Sequence, residues 1–155
     1  MLRYANVYGP GQVPRGEAAV VAIFTENLLR GRPCVVYRYP DEPEGMLRDY
    51  CYVEDVARAN LLALEGGGGE VLNIGTGRAT STLELHRTLV RAFLRHGVDL
   101  PRELRDPRFG PPRPGDLHRS CLDPGRAARR LGWRPQVSLE EGLERTVRWR
   151  LSLQR

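Results

Sequence analysis

The 155-residue sequence contains no lysine, so all 24 of its basic residues are arginines. A mechanism that needs a lysine amine is therefore excluded for this chain. Its apolar runs are far shorter than the roughly 20 residues that a membrane-spanning helix needs, and no signal-peptide pattern opens the sequence. These absences predict a cytoplasmic protein without a membrane partner.

Cysteine is also scarce, with Cys34, Cys51 and Cys121 standing far apart. No pair has the spacing of a zinc site, and no histidine lies nearby at metal-ligand spacing. Their neighbours are mostly apolar or aromatic, which favours buried, reduced thiols over reactive ones. We therefore expect neither disulfide bonds nor a bound metal.

The charge balance favours a phosphate-bearing small molecule over a nucleic acid. The net charge is +5, but the arginines are scattered among 19 acidic residues and form no run longer than Arg129-Arg130. A nucleic-acid surface normally clusters its basic residues. Guanidinium groups match phosphate oxygens in bidentate geometry, so a phosphorylated ligand is the better use of this excess.

Hydrophobic periodicity predicts one α/β domain, with a small sheet and packed helices. The predicted strands are 1–8, 34–37, 50–53 and 71–74, and the predicted helices are 17–30, 54–65, 81–96, 124–131 and 138–151. Capping boxes, in which Ser81 precedes Glu84 and Ser138 precedes Glu141, begin two of these helices. Residues 101–116 are rich in proline and arginine and are predicted to be irregular.

Two features that resemble chemistry have simpler interpretations. The turn Gly75-Thr-Gly77 follows a predicted strand, where backbone amides can bind phosphate, but it lacks the third glycine of the dinucleotide fingerprint. A tight turn is the favoured interpretation. The three histidines, His86, His96 and His118, are expected to be packed or solvated rather than catalytic.

Five segments, taken together and in this order, resemble the substrate-binding half of the extended short-chain dehydrogenase/reductase superfamily, in particular its NAD-dependent nucleotide-sugar epimerases and dehydratases. The segments are Leu2-Arg-Tyr-Ala-Asn-Val-Tyr-Gly-Pro10, Arg48-Asp-Tyr-Cys-Tyr-Val-Glu-Asp-Val56, Asn73-Ile-Gly-Thr-Gly77, Pro112-Arg-Pro-Gly-Asp116, and Leu131-Gly-Trp-Arg-Pro135 with Leu139-Glu-Glu-Gly142. The acidic, proline-containing loop Tyr39-Pro-Asp-Glu-Pro-Glu-Gly45 is similar to that of the UDP-glucose 4-epimerases, which points to a UDP-hexose.

The resemblance implies a C-terminal substrate-binding lobe over residues 1–155, with 1–8 as the last strand of an absent NAD-binding domain. Relatives oxidise the sugar C4 hydroxyl with NAD, rotate the keto-sugar and return the hydride. They use a Gly-rich loop and a Tyr-x-x-x-Lys pair, neither of which occurs in this sequence. We therefore expect no catalytic residue here, no activity of the chain alone, and a homodimer only as a property of the intact enzyme.

The same resemblance implies contacts with a UDP-sugar and with NAD. Arg48 and Arg113 would clamp the diphosphate, Asp116 would accept hydrogen bonds from nucleoside hydroxyls, and Asn6 would hydrogen-bond the sugar-nucleotide. Val20 on the first helix, and Val35 and Tyr37 on the following strand, would border the diphosphate and the uracil. Ala5 would lie against the nicotinamide side of the cofactor.

The chemistry of these side chains alone leaves alternatives open. Arg48 and Arg113 could instead form salt bridges, to Asp49 or Asp116 for example, and Asn6 could satisfy local backbone. Core packing would explain Val20, Val35 and Tyr37 almost as well. At the level of function, the alternatives are a stand-alone nucleotide-sugar binding module, a fragment of a related dehydratase, and a structural remnant that binds nothing.

Overall fold

A computed structural model of the chain describes residues 1–15 and 19–154. Its strands are β1 (Leu2–Tyr4), β2 (Asn6–Tyr8), β3 (Val35–Tyr37), β4 (Leu47–Arg48), β5 (Tyr50–Tyr52), β6 (Leu72–Ile74), β7 (Thr80–Ser81), β8 (Arg108–Gly110) and β9 (Arg119–Ser120). Its helices are α1 (Val20–Leu29), α2 (Val53–Glu65), α3 (Thr82–Arg95), α4 (Arg102–Arg105), α5 (Gly125–Leu131) and α6 (Leu139–Ser152). The predicted α/β class is confirmed.

The opening strand is divided at Ala5 and finds two partners within the chain. β1 runs parallel to β6, with Leu2 opposite Leu72, and β2 runs parallel to β5, with Asn6 opposite Tyr50. The Ala5 N–H donates to the Ile74 carbonyl at 2.9 Å, so the change of partner leaves no gap in the ladder. The membership of residues 1–8 in the sheet of an absent domain stays a prediction.

The prediction that residues 101–116 are irregular is wrong in part. Arg102–Arg105 forms the short helix α4, and Arg108–Gly110 forms β8, which pairs in parallel with β3. Pro107 precedes this strand, and Pro111 and Pro112 follow it, so prolines border the ladder without interrupting it. The remaining sheet is β7-β4-β9, whose two-residue strands were too short to be predicted from periodicity.

The main core lies among α1, α3 and α6, where Phe24, Leu89 and Leu143 are buried. Both predicted capping boxes form at their serine ends. The Ser81 hydroxyl accepts from the Glu84 N–H at 3.0 Å, and the Ser138 hydroxyl accepts from the Glu141 N–H at 3.2 Å. The predicted start of the first helix, residue 17, lies outside the described residues.

A buried carboxylate attaches the first turn of α2 to the segment before α6. Asp55 is fully buried and accepts hydrogen bonds from the backbone N–H groups of Gln136 and Val137 at 3.0 Å. Its own carbonyl accepts from the Trp133 indole N–H at 2.9 Å. Asp55, in the first turn of α2, therefore also holds the segment before α6 against this helix.

The cysteines of the described chain are all free thiols. Cys34 and Cys51 are buried, as predicted, and burial raises the pKa of each thiol to about 12. Cys121 is only half-buried. Within residues 1–15 and 19–154, every helix is too short or too polar to cross a bilayer.

Replacing Gly142 by alanine is expected to destabilise the fold. A Cβ at this position in α6 would meet the Tyr8 hydroxyl and lie 2.9 Å from a ring carbon of Tyr52. Overpacking of this kind costs about 1–3 kcal/mol. We expect the urea midpoint of Gly142→Ala to fall accordingly. Gly66→Ala is the matched control, because Gly66 has extended backbone and nothing within 4 Å; an equal loss in both variants would contradict the packing argument.

Stability is expected to decrease on acidification because of His86. This side chain is fully buried, neither ring nitrogen has a hydrogen-bond partner among residues 1–15 and 19–154, and burial lowers its pKa from 6.5 to about 4. His86 is therefore protonated below about pH 6.5 in the unfolded chain but only below about pH 4 in the folded chain. His86 should therefore cost about 3 kcal/mol of stability between pH 7 and pH 4.

The measurement is the free energy of unfolding across this pH range for His86→Leu and for the exposed control His96→Leu. His86→Leu should flatten the profile relative to the original chain, whatever its absolute stability, and His96→Leu should not. Parallel profiles for all three proteins would show that the ring of His86 does not carry the effect.

Candidate functional site

An open cleft of about 210 Å³ lies between the inner face of α1 and the strands β3, β4 and β5. All seven residues predicted to bind substrate line it: Asn6, Val20, Val35, Tyr37, Arg48, Arg113 and Asp116. They come from segments more than 100 residues apart in the sequence. The structure therefore brings the predicted set together, whereas Ala5 does not line the cleft.

Strand pairing places the first group of these side chains. β2 and β5 are parallel with Asn6 opposite Tyr50, and Arg48 ends β4 two residues before Tyr50. Because side chains alternate along extended backbone, Arg48 and Tyr50 share one face and Asp49 points to the other. Three adjacent residues thus separate into a cleft pair and a buried carboxylate.

Asp49 uses that buried carboxylate to hold the glycine turn. It accepts hydrogen bonds from the backbone N–H groups of Thr76 at 2.9 Å and Gly77 at 3.2 Å, and from the Thr76 hydroxyl. A Cβ at Gly75 would collide with the Asp49 carboxylate. The turn is therefore a tight structural turn, as its sequence favoured, and its amides are already occupied by protein.

Neither cleft arginine is neutralised within the described chain. No carboxylate of residues 1–15 or 19–154 lies within salt-bridge distance of Arg48 or Arg113. Arg48 donates to the Leu47 carbonyl at 2.9 Å, and the Arg113 guanidinium lies 4.3 Å from the centre of the Tyr37 ring. The salt-bridge alternative to Asp49 or Asp116 is therefore wrong.

The loop that carries Arg113 and Asp116 is held by a hydrogen bond within it and by contacts from Tyr39. The Asp116 carboxylate accepts from the Arg113 backbone N–H at 3.2 Å, which closes the turn. The Tyr39 hydroxyl donates to the Asp116 carbonyl at 2.8 Å, and the Tyr39 ring stacks on His118 at 3.7 Å. The His118 side chain is thus largely exposed, with one face of its ring stacked on Tyr39, consistent with the prediction of a packed or solvated histidine.

Asn6 and Ala5 differ in what the fold does with them. The Asn6 backbone N–H donates to the Asp49 carbonyl at 2.9 Å, but its side-chain amide makes no hydrogen bond to another described residue. The alternative that local backbone pairs with the Asn6 side chain is therefore not observed among the described residues. Ala5 packs against a second cluster of buried residues, which includes Leu72 and Ile74. Its contact with a cofactor stays a prediction.

Sequence reasoning missed several residues that line the cleft. Ile23, Phe24 and Asn27 project from α1, and Met46 and Thr82 close the remaining wall. The signal for the α1 residues was present, because positions three, four and seven after Val20 fall on the same helical face. Met46 and Thr82 reach the cleft only through the pairing of β4 with β7.

The described residues do not fit a complete dinucleotide. The backbone amides of the one strand-to-helix glycine turn that resembled a phosphate cradle are bound to Asp49. A Tyr-x-x-x-Lys pair is absent from the whole sequence. What the cleft can do chemically is to hold an anion between fixed cations and to cover an apolar or flat group against α1 and β3.

Comparison with known proteins agrees with this geometry. The family model described as the NAD dependent epimerase/dehydratase family matches residues 1–75. A UDP-glucose 4-epimerase from Mycolicibacterium smegmatis is 49% identical over 144 residues, which cover 92% of this chain and 42% of that protein.

Two solved structures resemble the fold. The UDP-glucose 4-epimerase of Thermotoga maritima, determined with UDP-glucose, has a TM-score of 0.86 at 49% identity, covering 99% of this chain and 46% of that one. The UDP-glucose 4-epimerase of Thermus thermophilus, determined with NAD, has a TM-score of 0.79 at 44% identity, covering 96% and 45%. The chain thus spans less than half the length of these relatives. It belongs to the NAD-dependent epimerase/dehydratase family, of the extended short-chain dehydrogenase/reductase type, and matches the C-terminal part of its epimerases.

Proposed function

We propose that this chain is the UDP-sugar-binding part of an NAD-dependent UDP-glucose 4-epimerase, with UDP-glucose and UDP-galactose as the ligand class. The observation that carries the proposal is the cleft in which Arg48 and Arg113 lie without acidic partners among the described residues, beside Asn6 and an apolar wall. A ligand for this cleft must be anionic at one part and flat or apolar at another. A nucleoside diphosphate has both properties.

The electrostatics of the cleft support the diphosphate assignment. Asp116 lines the same cleft, but neither arginine forms a salt bridge with a described carboxylate, so a local positive potential remains that attracts anions. Guanidinium groups bind phosphate oxygens in pairs of charge-assisted hydrogen bonds. Arg113 is already oriented by the Tyr37 ring, so little side-chain entropy remains to be lost when a ligand binds.

The size and the walls of the cleft support binding of part of a nucleotide-sugar. Its volume of about 210 Å³ is below the roughly 300–1,000 Å³ of typical ligand sites. The remainder of the ligand would be covered by protein outside these residues, consistent with the share of the relatives that the chain spans. Asn6, next to the end of β1, would lie toward the sugar.

In this role the chain supplies binding and orientation, and other residues supply the chemistry. Epimerisation at C4 by oxidation, rotation and hydride return needs groups that this sequence lacks, above all the tyrosine-lysine pair. The proposal includes the homodimer that the family resemblance implies for the intact enzyme, and the cytoplasmic location predicted from the sequence. Neither concerns the cleft itself.

A second candidate is a stand-alone nucleotide-sugar binding module. It is favoured by one observation, that β1 and β2 both find parallel partners within this chain. Binding of UDP-sugar by the isolated chain is expected under both candidates. The two candidates differ in whether the reading frame that encodes this chain also encodes a catalytic half.

Loss of either cleft arginine is expected to weaken UDP binding. Arg48→Gln and Arg113→Gln each keep a polar side chain but remove its charge, so each should raise the Kd of UDP about tenfold at low salt. Isothermal titration calorimetry measures this directly. Arg129→Gln is the matched control, because Arg129 is exposed on α5 away from the cleft.

The salt dependence of the titration gives a second readout. Added salt screens exposed charges, so the original chain should lose affinity for UDP on going from low to high salt more steeply than either cleft variant. Unchanged Kd values for both cleft variants, with UDP bound by all proteins, would place the diphosphate elsewhere.

The purified 155-residue chain is expected to be inactive on its own. With added NAD it should not interconvert UDP-glucose and UDP-galactose, because it has no tyrosine-lysine pair to move the C4 hydroxyl proton. Separation of the two sugars by chromatography after long incubation tests this, with an intact UDP-glucose 4-epimerase as the positive control. Turnover by the chain would mean that other residues replace that pair.

A further inference from the structure

Asn27 is a polar side chain on a helix face that is otherwise apolar where it meets the cleft. α1 lines the cleft with Val20, Ile23, Phe24 and Asn27. Three of these side chains offer only hydrocarbon, so they bury surface but cannot distinguish one flat group from another. Asn27 is the member of this face that can form directional hydrogen bonds.

The backbone of Asn27 is committed to the fold, but its side chain is not. Its carbonyl accepts from the N–H groups of Arg30 at 3.1 Å and Arg32 at 2.8 Å, which ends α1 and begins the turn toward β3. Its side-chain amide makes no hydrogen bond to another described residue and is not sealed from the cleft. The helix end is therefore rigid, and the amide is available to a ligand.

The position of Asn27 along the helix places it at the end of α1 that leads into β3. It follows Val20 by seven residues, which is about 10 Å along the helix. Val35 and Tyr37 of β3 also line the cleft, and Arg113 lies over the Tyr37 ring. Asn6, Arg48 and Tyr50 come from β2, β4 and β5 instead.

We propose that Asn27 determines specificity for the nucleobase by hydrogen-bonding its edge. This inference rests on the proposed function, because it needs the diphosphate at the arginines and the nucleoside toward α1 and β3. An asparagine amide offers an acceptor and a donor side by side. Uracil presents the complementary pair on its own edge, an N3–H donor next to a carbonyl acceptor, so a two-point contact is chemically matched.

A base-dependent binding experiment tests the role of Asn27. The full 155-residue chain and its Asn27→Leu variant are titrated with UDP and with inorganic pyrophosphate, which has the charges of the diphosphate but no base. Leucine keeps the branched shape of the side chain and removes its hydrogen bonds. We expect Asn27→Leu to raise the Kd of UDP about tenfold and to leave the Kd of pyrophosphate unchanged.

Asn60→Leu serves as the matched control, because Asn60 is also a helical asparagine but lies on α2, outside the cleft. It should bind both ligands like the original chain. Equal UDP binding by the original chain and Asn27→Leu would overturn the inference and leave the proposed function standing. Equal weakening of UDP and pyrophosphate would also overturn it, since Asn27 would then act on the diphosphate or on the fold. Failure of the original chain to bind UDP would overturn the proposed function and this inference with it.

Discussion

The buried carboxylate of Asp49 is the contact on which the cleft depends. It lies between Arg48 and Tyr50, which face the cleft, and it accepts hydrogen bonds from the backbone N–H groups of Thr76 and Gly77 on the other side of the strand. A buried charge without hydrogen bonds costs several kcal/mol, so the strand cannot shift by one residue without losing them. The register that satisfies Asp49 is the one that presents Arg48 and Tyr50 to the cleft.

A second buried carboxylate, Asp55, extends the same principle to the end of the chain. It holds the Trp133–Val137 segment against α2, which positions α6 over Tyr8 and Tyr52. Both acids stand in one short segment, Arg48 to Val56. Asp49 and Asp55 therefore serve internal hydrogen bonding, while Arg48 in the same segment faces the cleft.

The groups that support the cleft have hydrogen-bond partners within the protein, whereas the polar side chains that line it are only partly paired among the described residues. Asp49, Asp55 and the Tyr39–Asp116 contact have their hydrogen bonds within the protein. The Arg48 guanidinium donates only to the Leu47 carbonyl, the Arg113 guanidinium only stacks on Tyr37, and the side-chain amides of Asn6 and Asn27 form no hydrogen bond to another described residue. Rigid support beneath free donors is the arrangement that lowers the entropic cost of binding an anion.

Local sequence alone determined the helices other than α4, the two capping boxes and the burial of Cys34 and Cys51, because periodicity and caps act over a few neighbouring residues. Resemblance of motifs identified the seven cleft residues, but not their arrangement. Only the tertiary structure decided that Asp49 leaves Arg48 without a carboxylate partner, that Arg108–Gly110 joins β3 despite its flanking prolines, and that Met46 and Thr82 enter the cleft. These outcomes depend on strand pairing and burial between residues far apart in the chain, and no local pattern encodes which distant partner satisfies a charge or a ladder.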